Sequence, residues 1–335
     1  MIFFINLLRA LAMCLITNSH YRGVYPTDLI ANGGLLGDVL FFAVSGFCLS
    51  NIRQPFHKWY VKRIFRIYPI IWLALLFFLV IGQYKITSAS QFFSYYVFPT
   101  RYHFIGSIIL LYIPYYIFAY SSKKLSGSER FNNGKLTLGV MTAVAAVWLA
   151  VYFAVYDKTY YHIDNVREPM IAFLYFEAML TGFYFKQRLN VFKNKKGIIK
   201  WLVTAVLFCV YFISKLAFSK KPQLSQLQFL NQIILLCLMA GIFICAASIS
   251  DRLDRLPEML KRTVNYLSAI TLEVYAMQFM VGKEYIIIVD AFRKIAFPLN
   301  WLVITTVIIA GAAVLHCIVK APGAIHKKLK EKNTD

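Results

Sequence analysis

The sequence is poor in charged residues, and those it has are mostly of one sign. Only 15% of its 335 residues are charged, whereas a soluble domain carries about 25%. Hydrophobic residues make up 59% of the chain, and the mean hydropathy is +0.61. The apolar residues lie in runs of about twenty, the length that crosses about 30 Å of hydrocarbon. The low charge content and the long apolar runs exclude the classes of soluble protein and predict an integral membrane protein.

Motifs of several common enzyme classes are also lacking. The six cysteines include no CxxC pair and none near a histidine at zinc-ligand spacing, so we predict neither a disulfide framework nor a metal site. The sequence has no P-loop, no GxSxG elbow and no HExxH motif. Any chemistry must therefore use other groups in the apolar runs or at their ends.

Ten apolar runs are candidate membrane spans. They predict an all-α, polytopic transmembrane helix bundle that forms a single domain over residues 1–335, with no appended soluble domain. No internal repeat is evident in the sequence. The predicted spans are 2–19, 35–51, 65–82, 104–121, 137–156, 169–185, 199–218, 228–249, 264–281 and 299–319.

The basic residues predict the orientation of the bundle. The chain has 36 Lys and Arg against 15 Asp and Glu. Counted together with the end residues of the adjoining spans, the segments after the even-numbered spans and the C-terminal tail hold 24 of the basic residues, and those after the odd-numbered spans hold 11. Because cytoplasmic loops are enriched in Lys and Arg, both termini are predicted to be cytoplasmic. The net charge of +21 then reflects this bias and contact with anionic membrane lipid, and no nucleic-acid partner is needed to explain it.

Five ionisable residues inside or at the ends of spans are candidates for function, because such groups are costly in a membrane. The alternative for most of them is an internal pair that locks two helices together, and for the histidine it is a position at the membrane interface. The five residues are Arg9, His20, Asp38, Glu177 and Glu273.

Arg9 lies in the first predicted span, and His20 follows eleven residues later, at the end of that span. At 100° per residue, a helix would bring them to within roughly 20° of the same direction, about 16 Å apart along the axis. One helix face is thus predicted to carry a fixed charge and a titratable imidazole.

A basic cluster precedes the apolar part of the third span, in "QPFHKWYVKRIFRIYP". Arg63 and Arg66 are three residues apart and are predicted to share one helix face. One explanation is the enrichment of basic residues in cytoplasmic loops. The other is an anion site, since the arginine fork matches phosphate oxygens; such a site suits coenzyme A.

These stretches, with "GDVLFFAVSGF" in the second span, resemble the acyltransferase family 3 of bacterial membrane proteins. The family opens with an Arg-Gly/Ala-Leu-Ala run followed by a histidine, matched by Arg9–Ala12 and His20. Its Asp-x-Phe-Phe-x-x-Ser-Gly-Phe stretch is matched from Asp38 to Phe47, with a difference around Val39–Leu40. Its Arg-x-x-Arg-x-x-Pro signature is matched by Arg63, Arg66 and Pro69. The resemblance runs through the whole chain and is strongest in the first eighty residues.

Two departures from the family pattern affect the site. The late Tyr-x-x-His segment keeps Tyr275 but has Gln278 in place of the histidine, and an amide cannot transfer the proton that an imidazole would. The fourth span lacks the Trp and Glu common in relatives, with His103 near the Trp position.

The resemblance implies an O-acyltransferase, most simply an O-acetyltransferase, in the bacterial cytoplasmic (inner) membrane. It would move an acyl group from acetyl-CoA or another acyl-CoA to a hydroxyl of a cell-surface or lipid-linked polysaccharide. His20 and Asp38 are the catalytic candidates, and Arg9, Arg63 and Arg66 are the candidates for binding the donor. The alternative is a non-enzymatic flippase or transporter of a lipid-linked saccharide, which would use the same charges as a substrate path.

Overall fold

The computed structural model describes residues 2–99, 102–125, 133–194, 197–281, 292 and 294–332. Within these ranges the regular structure is helical, and the β-type pairing consists of a single isolated bridge between His162 and Asn165. Lys195 and Lys196, in the basic segment after the sixth predicted span, lie outside the described residues.

The helices are numbered here in chain order. They are α1 (Phe3–Ser19), α2 (Gly34–Leu49), α3 (Phe56–Val80), α4 (Ala89–Phe92), α5 (His103–Leu125), α6 (Asn133–Ala154), α7 (Met170–Gln187), α8 (Leu189–Lys193), α9 (Ile199–Lys220), α10 (Gln228–Ser248), α11 (Ser250–Leu253), α12 (Glu258–Ala269), α13 (Thr271–Met277) and α14 (Leu299–Lys332).

Six helical segments of the described chain are long and apolar enough to cross a membrane. They lie on α3, α5, α6, α9, α10 and α14, and α1 and α2 are shorter apolar helices. The structure thus supports a helical, multi-pass membrane protein, whereas the number of ten spans and the sides of the termini remain predictions.

The ninth predicted span, 264–281, is not one helix. It is divided between the end of α12, the whole of α13 and a 3₁₀ turn from Gln278 to Val281. At the break, the Thr271 hydroxyl donates to the carbonyl oxygens of Leu267 and Ser268, 3.2 and 3.0 Å away. A hydroxyl that bonds back to the preceding turn competes with the helix hydrogen bonds and is often found where a helix bends.

The chain forms two compact units. The first unit comprises Met1–Ile16, Gly33–Phe56 and Ser107–Asn265. The second comprises Thr17–Asn32, His57–Gly106 and Tyr266–Asp335.

In the first unit, α2 and α7 pack in close contact through one glycine on each helix. A Cβ atom at Gly46 would lie 2.0 Å from the carbonyl oxygen of Met179, and one at Gly182 would lie 1.8 Å from that of Ala43. Small residues let helix backbones approach in this way in membrane proteins. Gly37 brings α2 against α1 similarly, since its Cβ would lie 2.7 Å from the Ala12 carbonyl oxygen.

In the second unit, the segment that follows α1 is held by polar contacts. The Asn18 amide donates to the carbonyl oxygens of Ile30 and Asn32 at 2.7 and 2.9 Å. The Tyr21 hydroxyl lies 2.9 Å from that of Thr305 on α14, and Asn300 donates to the Val24 carbonyl at 2.8 Å. His20 is therefore carried by a loop that has fixed contacts at both ends.

Candidate active site

Asp38 lies one turn into α2 and contacts α7. Its carboxylate accepts a hydrogen bond of 2.8 Å from the hydroxyl of Tyr175. The Tyr175 ring is stacked on Phe42, one turn further along α2, with ring centroids 4.2 Å apart. This packing fixes the Tyr175 hydroxyl beside Asp38, because the close α2–α7 approach and the stacked rings leave the phenol little freedom.

Arg9 lies in the middle of α1 and is half-buried. One guanidinium nitrogen lies 3.5 Å from the sulfur of Cys48 on α2. A thiol is a weak hydrogen-bond acceptor.

A buried ion pair lies at the N-terminus of α2. One Asp164 carboxylate oxygen is bonded to the Lys215 ammonium of α9. The other oxygen accepts from the backbone N–H groups of Gly33 and Gly34, at 2.8 and 3.2 Å. These N–H groups have no acceptor within the first turn of a helix, and the negative charge is favoured at the positive end of the helix dipole. Asp164 therefore ties α2 to α9 one turn before Asp38.

Glu177 is buried on α7, with 7% of its surface exposed. Within the described part of the chain, its Oε1 atom has no hydrogen-bond partner. The helix-locking pair that we considered for Glu177 is thus not made through this oxygen.

His20 begins the loop after α1, since α1 ends at Ser19. Its amide donates to the Thr17 carbonyl at 3.1 Å in a tight turn, so α-helical geometry stops one residue before the imidazole. The ring lies against Phe279, with centroids 5.5 Å apart. Phe279 in turn contacts Tyr102 at 4.6 Å and Tyr275 at 5.9 Å, so aromatic side chains form one side of the His20 environment.

The electrostatics of this environment favour a neutral imidazole. Burial of the ring, with a smaller contribution from the charge of Arg22, lowers the pKa of His20 from 6.5 to about 4. Desolvation disfavours the charged form, and a nearby cation adds to that effect. At neutral pH His20 therefore has a free lone pair with which to accept a proton or attack a carbonyl.

Gln278 occupies the position of the family's late histidine. Its side-chain oxygen accepts a hydrogen bond of 3.0 Å from the Thr17 hydroxyl, and the residue is fully buried. Within the described residues, its Nε2 atom has no acceptor. The amide joins the 3₁₀ turn after α13 to the end of α1, three residues before His20.

Glu273 forms the helix-locking pair that was one of its two explanations. Its Oε1 lies 2.5 Å from Nδ1 of His316, which joins α13 to α14. Only 5% of the Glu273 side chain and 14% of the His316 side chain are exposed.

Arg63 and Arg66 lie on α3, which begins at Phe56 and so extends the third span on its basic side. Arg66 is exposed and Arg63 is half-buried. The Arg63 guanidinium lies 5.5 Å from the ring centroid of Trp59, at cation–π distance. Both arginines are within one continuous helix, which confirms the prediction that they lie on the same helix face, three residues apart.

Comparison with protein families decides the class of the molecule. A family model described as an acyltransferase domain matches residues 2–318, nearly the whole chain. This chain belongs to the acyltransferase 3 family. The resemblance that the motifs predicted is confirmed, and the protein is a membrane acyltransferase. Comparisons with curated proteins and with solved structures find no match.

The sequence analysis of this acyltransferase missed Tyr175, which contacts Asp38, and the pair of Asp164 and Lys215 at the start of α2. Lys215 carried a signal, because it lies inside the predicted span 199–218, where a charge is costly. Asp164 and Tyr175 carried no such signal. Asp164 lies 131 positions from its partner Gly33, and Tyr175 lies 137 positions from its partner Asp38. A single sequence does not record contacts between residues so far apart along the chain.

Proposed function

We propose that this acyltransferase moves an acyl group, in the simplest case acetyl, from cytoplasmic acyl-CoA to a hydroxyl of a cell-surface or lipid-linked polysaccharide. Exopolysaccharide, capsule and O-antigen are acceptors of this class, and the location is the bacterial cytoplasmic membrane. The observation that carries the proposal is the family match over residues 2–318. The neutral His20 imidazole supports it, because hydroxyl acylation needs a base or a nucleophile.

In this proposal the arginines bind the donor. Arg63 and Arg66 bind phosphate oxygens of acyl-CoA, which their forked guanidinium groups match. Arg9 holds a further phosphate or polarises the thioester carbonyl, where negative charge develops during attack.

The general-base route uses His20 to activate the acceptor. The imidazole takes the proton of the sugar hydroxyl while the hydroxyl oxygen attacks the thioester carbonyl carbon. The C–S bond then breaks, and the departing CoA thiolate takes the proton back from the imidazolium. A positioned general base contributes typically 10²–10⁴-fold to the rate. In this scheme Asp38 acts as a positioning residue: it holds the hydroxyl of Tyr175, to which it is bonded.

A covalent route uses the same histidine as a nucleophile. An imidazole nitrogen attacks the thioester, the C–S bond breaks, and CoA leaves as the thiolate. The acceptor hydroxyl then attacks the acyl-imidazole, the C–N bond breaks, and the hydroxyl proton passes to the thiolate or to water.

The test is consumption of acetyl-CoA by the purified protein. We expect thioester turnover that depends on a saccharide acceptor and is lost in His20→Ala, with His162→Ala as the matched control because His162 is an exposed loop histidine. Mass spectrometry of protein incubated without acceptor separates the routes, since only the covalent route leaves an acyl group on His20. A wild-type protein that never consumes acyl-CoA contradicts the proposal and favours the transporter alternative.

A further inference from the structure

A basic cavity lies in the first unit, at the start of α9, and none of the candidate residues above lines it. It has a volume of about 700 Å³, within the range of small-molecule sites. Three segments form it: the end of α8 and the following loop, the first turn of α9, and the end of α10 with α11. Its charged and aromatic lining residues are Lys193, Lys200, Trp201, Asp251, Arg252 and Arg255.

The charge of this cavity is unbalanced. Four cations face one carboxylate, and that carboxylate is a weak partner, because Asp251 lies 4.0 Å from Lys193 and 85% of its side chain is exposed. Lys200 donates to the Gly197 carbonyl at 2.9 Å. Arg252 and Arg255 are exposed at the rim. Enrichment of basic residues in cytoplasmic loops explains their number but not their convergence from three segments around one cavity.

The helix that leaves the cavity is apolar and mostly uncovered. Only 17% of the best 18-residue window of α9 is buried. Beside the cavity, Ile198, Ile199 and Leu202 are 68%, 74% and 57% exposed. Trp201 lines the cavity and is itself 42% exposed, as expected of a tryptophan at the boundary between lipid tails and headgroups. A ligand in the cavity thus has a cationic site at one end and a lipid-facing helix beside it.

We propose that this cavity binds the phosphate of an anionic glycerophospholipid, with the acyl chains lying along the exposed apolar face of α9. Arg252 and Arg255 contact the phosphate oxygens, and Trp201 lies at the glycerol level. The shared chemistry is a phosphate ester. The exposed face of α9 favours a lipid over a water-soluble phosphate ester such as coenzyme A, because a soluble ligand gains nothing from it. This inference does not depend on the proposed acyl transfer.

The test is retention of phosphatidylglycerol by the purified protein, read by native mass spectrometry. Dioleoylphosphatidylglycerol and dioleoylphosphatidylcholine are added in equal amounts to the detergent-solubilised protein. We expect preferential retention of phosphatidylglycerol, reduced about tenfold or more in Arg252→Gln/Arg255→Gln, since each basic residue near a membrane surface contributes several-fold to anionic-lipid binding. The matched control is Lys261→Gln/Arg262→Gln, which removes the same charge from α12, where both residues pair with Glu258.

A second readout follows the position of the lipid chains. Phosphatidylglycerol brominated on its acyl chains is expected to quench a component of the tryptophan fluorescence that is missing in Trp201→Phe. Coenzyme A at millimolar concentration is expected to leave phosphatidylglycerol bound. Equal retention by the wild type and the Arg252/Arg255 variant overturns the proposal. Displacement of the lipid by coenzyme A in the wild type also overturns it and assigns the cavity to a soluble phosphate ester.

Discussion

At the scale of single residues, the proposed acyl transfer depends on the protonation state of the His20 imidazole. His20 is partly buried beside Phe279 and near Arg22, and both burial and charge favour the neutral ring. At physiological pH such an imidazole is neutral and its lone pair is available, whereas a histidine with an ordinary pKa of about 6.5 would be partly protonated.

The lowered pKa of His20 predicts the pH profile of the reaction. Because only the neutral imidazole accepts a proton, kcat/KM for acyl transfer is expected to stay level from about pH 8 down to about pH 5. It then falls as the pH passes through about 4, where His20 takes up its proton. The measurement is initial-rate kinetics of acetyl-CoA consumption across this range. An acid limb with a midpoint near 6.5 would contradict the account.

The arginine pair predicts a change in donor binding. Arg63→Ala/Arg66→Ala is expected to raise the KM for acyl-CoA at least about tenfold with little change in kcat, because hydrogen bonds to charged groups contribute roughly 1.5–3 kcal/mol each. The Arg63→Lys/Arg66→Lys variant keeps the charge but loses the fork, and an intermediate KM is expected.

The matched control for the arginine pair is Lys85→Ala, which removes an exposed cation beyond the other end of α3 and should leave the KM unchanged. If the wild type and the double alanine variant have the same KM for acyl-CoA, the pair does not bind the donor, and the enrichment of basic residues in cytoplasmic loops explains its presence.

How far the sequence predicts individual residues depends on the range of their contacts. The i, i+3 placement of Arg63 and Arg66 is set by the helix period alone, and the structure confirms it. The bond between Asp38 and Tyr175 joins residues 137 positions apart, and no local pattern encodes it. The catalytic and donor-binding roles of the candidates stay predictions.

At the scale of helices, the close contact between α2 and α7 in the first unit requires glycine at Gly46 and Gly182. Gly46→Ala is expected to lower the free energy of unfolding by about 1–3 kcal/mol or more, because its Cβ would lie 2.0 Å from backbone that cannot move independently. The measurement is thermal or denaturant unfolding in detergent.

Gly139→Ala on α6 is the matched control for Gly46→Ala. A Cβ there meets nothing within 4 Å, so stability should be unchanged or raised by roughly 0.5–1 kcal/mol through helix propensity. Equal effects at the two glycines would mean that α2 and α7 do not approach as described.

The buried pair of Lys215 and Asp164 predicts a second structural effect. Lys215→Met is expected to destabilise the protein by about 3–5 kcal/mol, because it leaves the Asp164 carboxylate buried without its cation. Lys261→Met removes one partner of the partly exposed pair with Glu258 and should cost at most about 1 kcal/mol. Similar losses in the two variants, measured by unfolding in the same detergent, would contradict the assignment of a buried pair.

Helix positions were largely predictable from apolar runs, and helix ends were less so. The third span was expected at 65–82, but α3 begins at Phe56, because a basic segment can continue a helix beyond the apolar part. The prediction of a single helix over 264–281 was wrong, because the helix breaks where the Thr271 hydroxyl bonds back to the preceding turn. A hydropathy pattern contains no information about such a bond.

At the scale of the whole molecule, composition predicted the class and the family match established it. Low charge and long apolar runs indicated a helical membrane protein, and residues 2–318 match the acyltransferase family. The division into two compact units was not predicted, because it follows from contacts between distant segments: α1 itself contributes to both units. The orientation, with both termini in the cytoplasm, stays a prediction from the distribution of Lys and Arg.

The most direct test of the central claim is mass spectrometry of the surface glycans of the host with and without this gene. The deletion strain is complemented with the wild type, with His20→Ala or with the exposed-histidine control His162→Ala. We predict an acyl mass increment on a glycan that disappears on deletion and returns with the wild type and His162→Ala but not with His20→Ala. A glycan that falls in abundance on deletion, with no acyl group gained or lost in any strain, would contradict acyl transfer and indicate export instead.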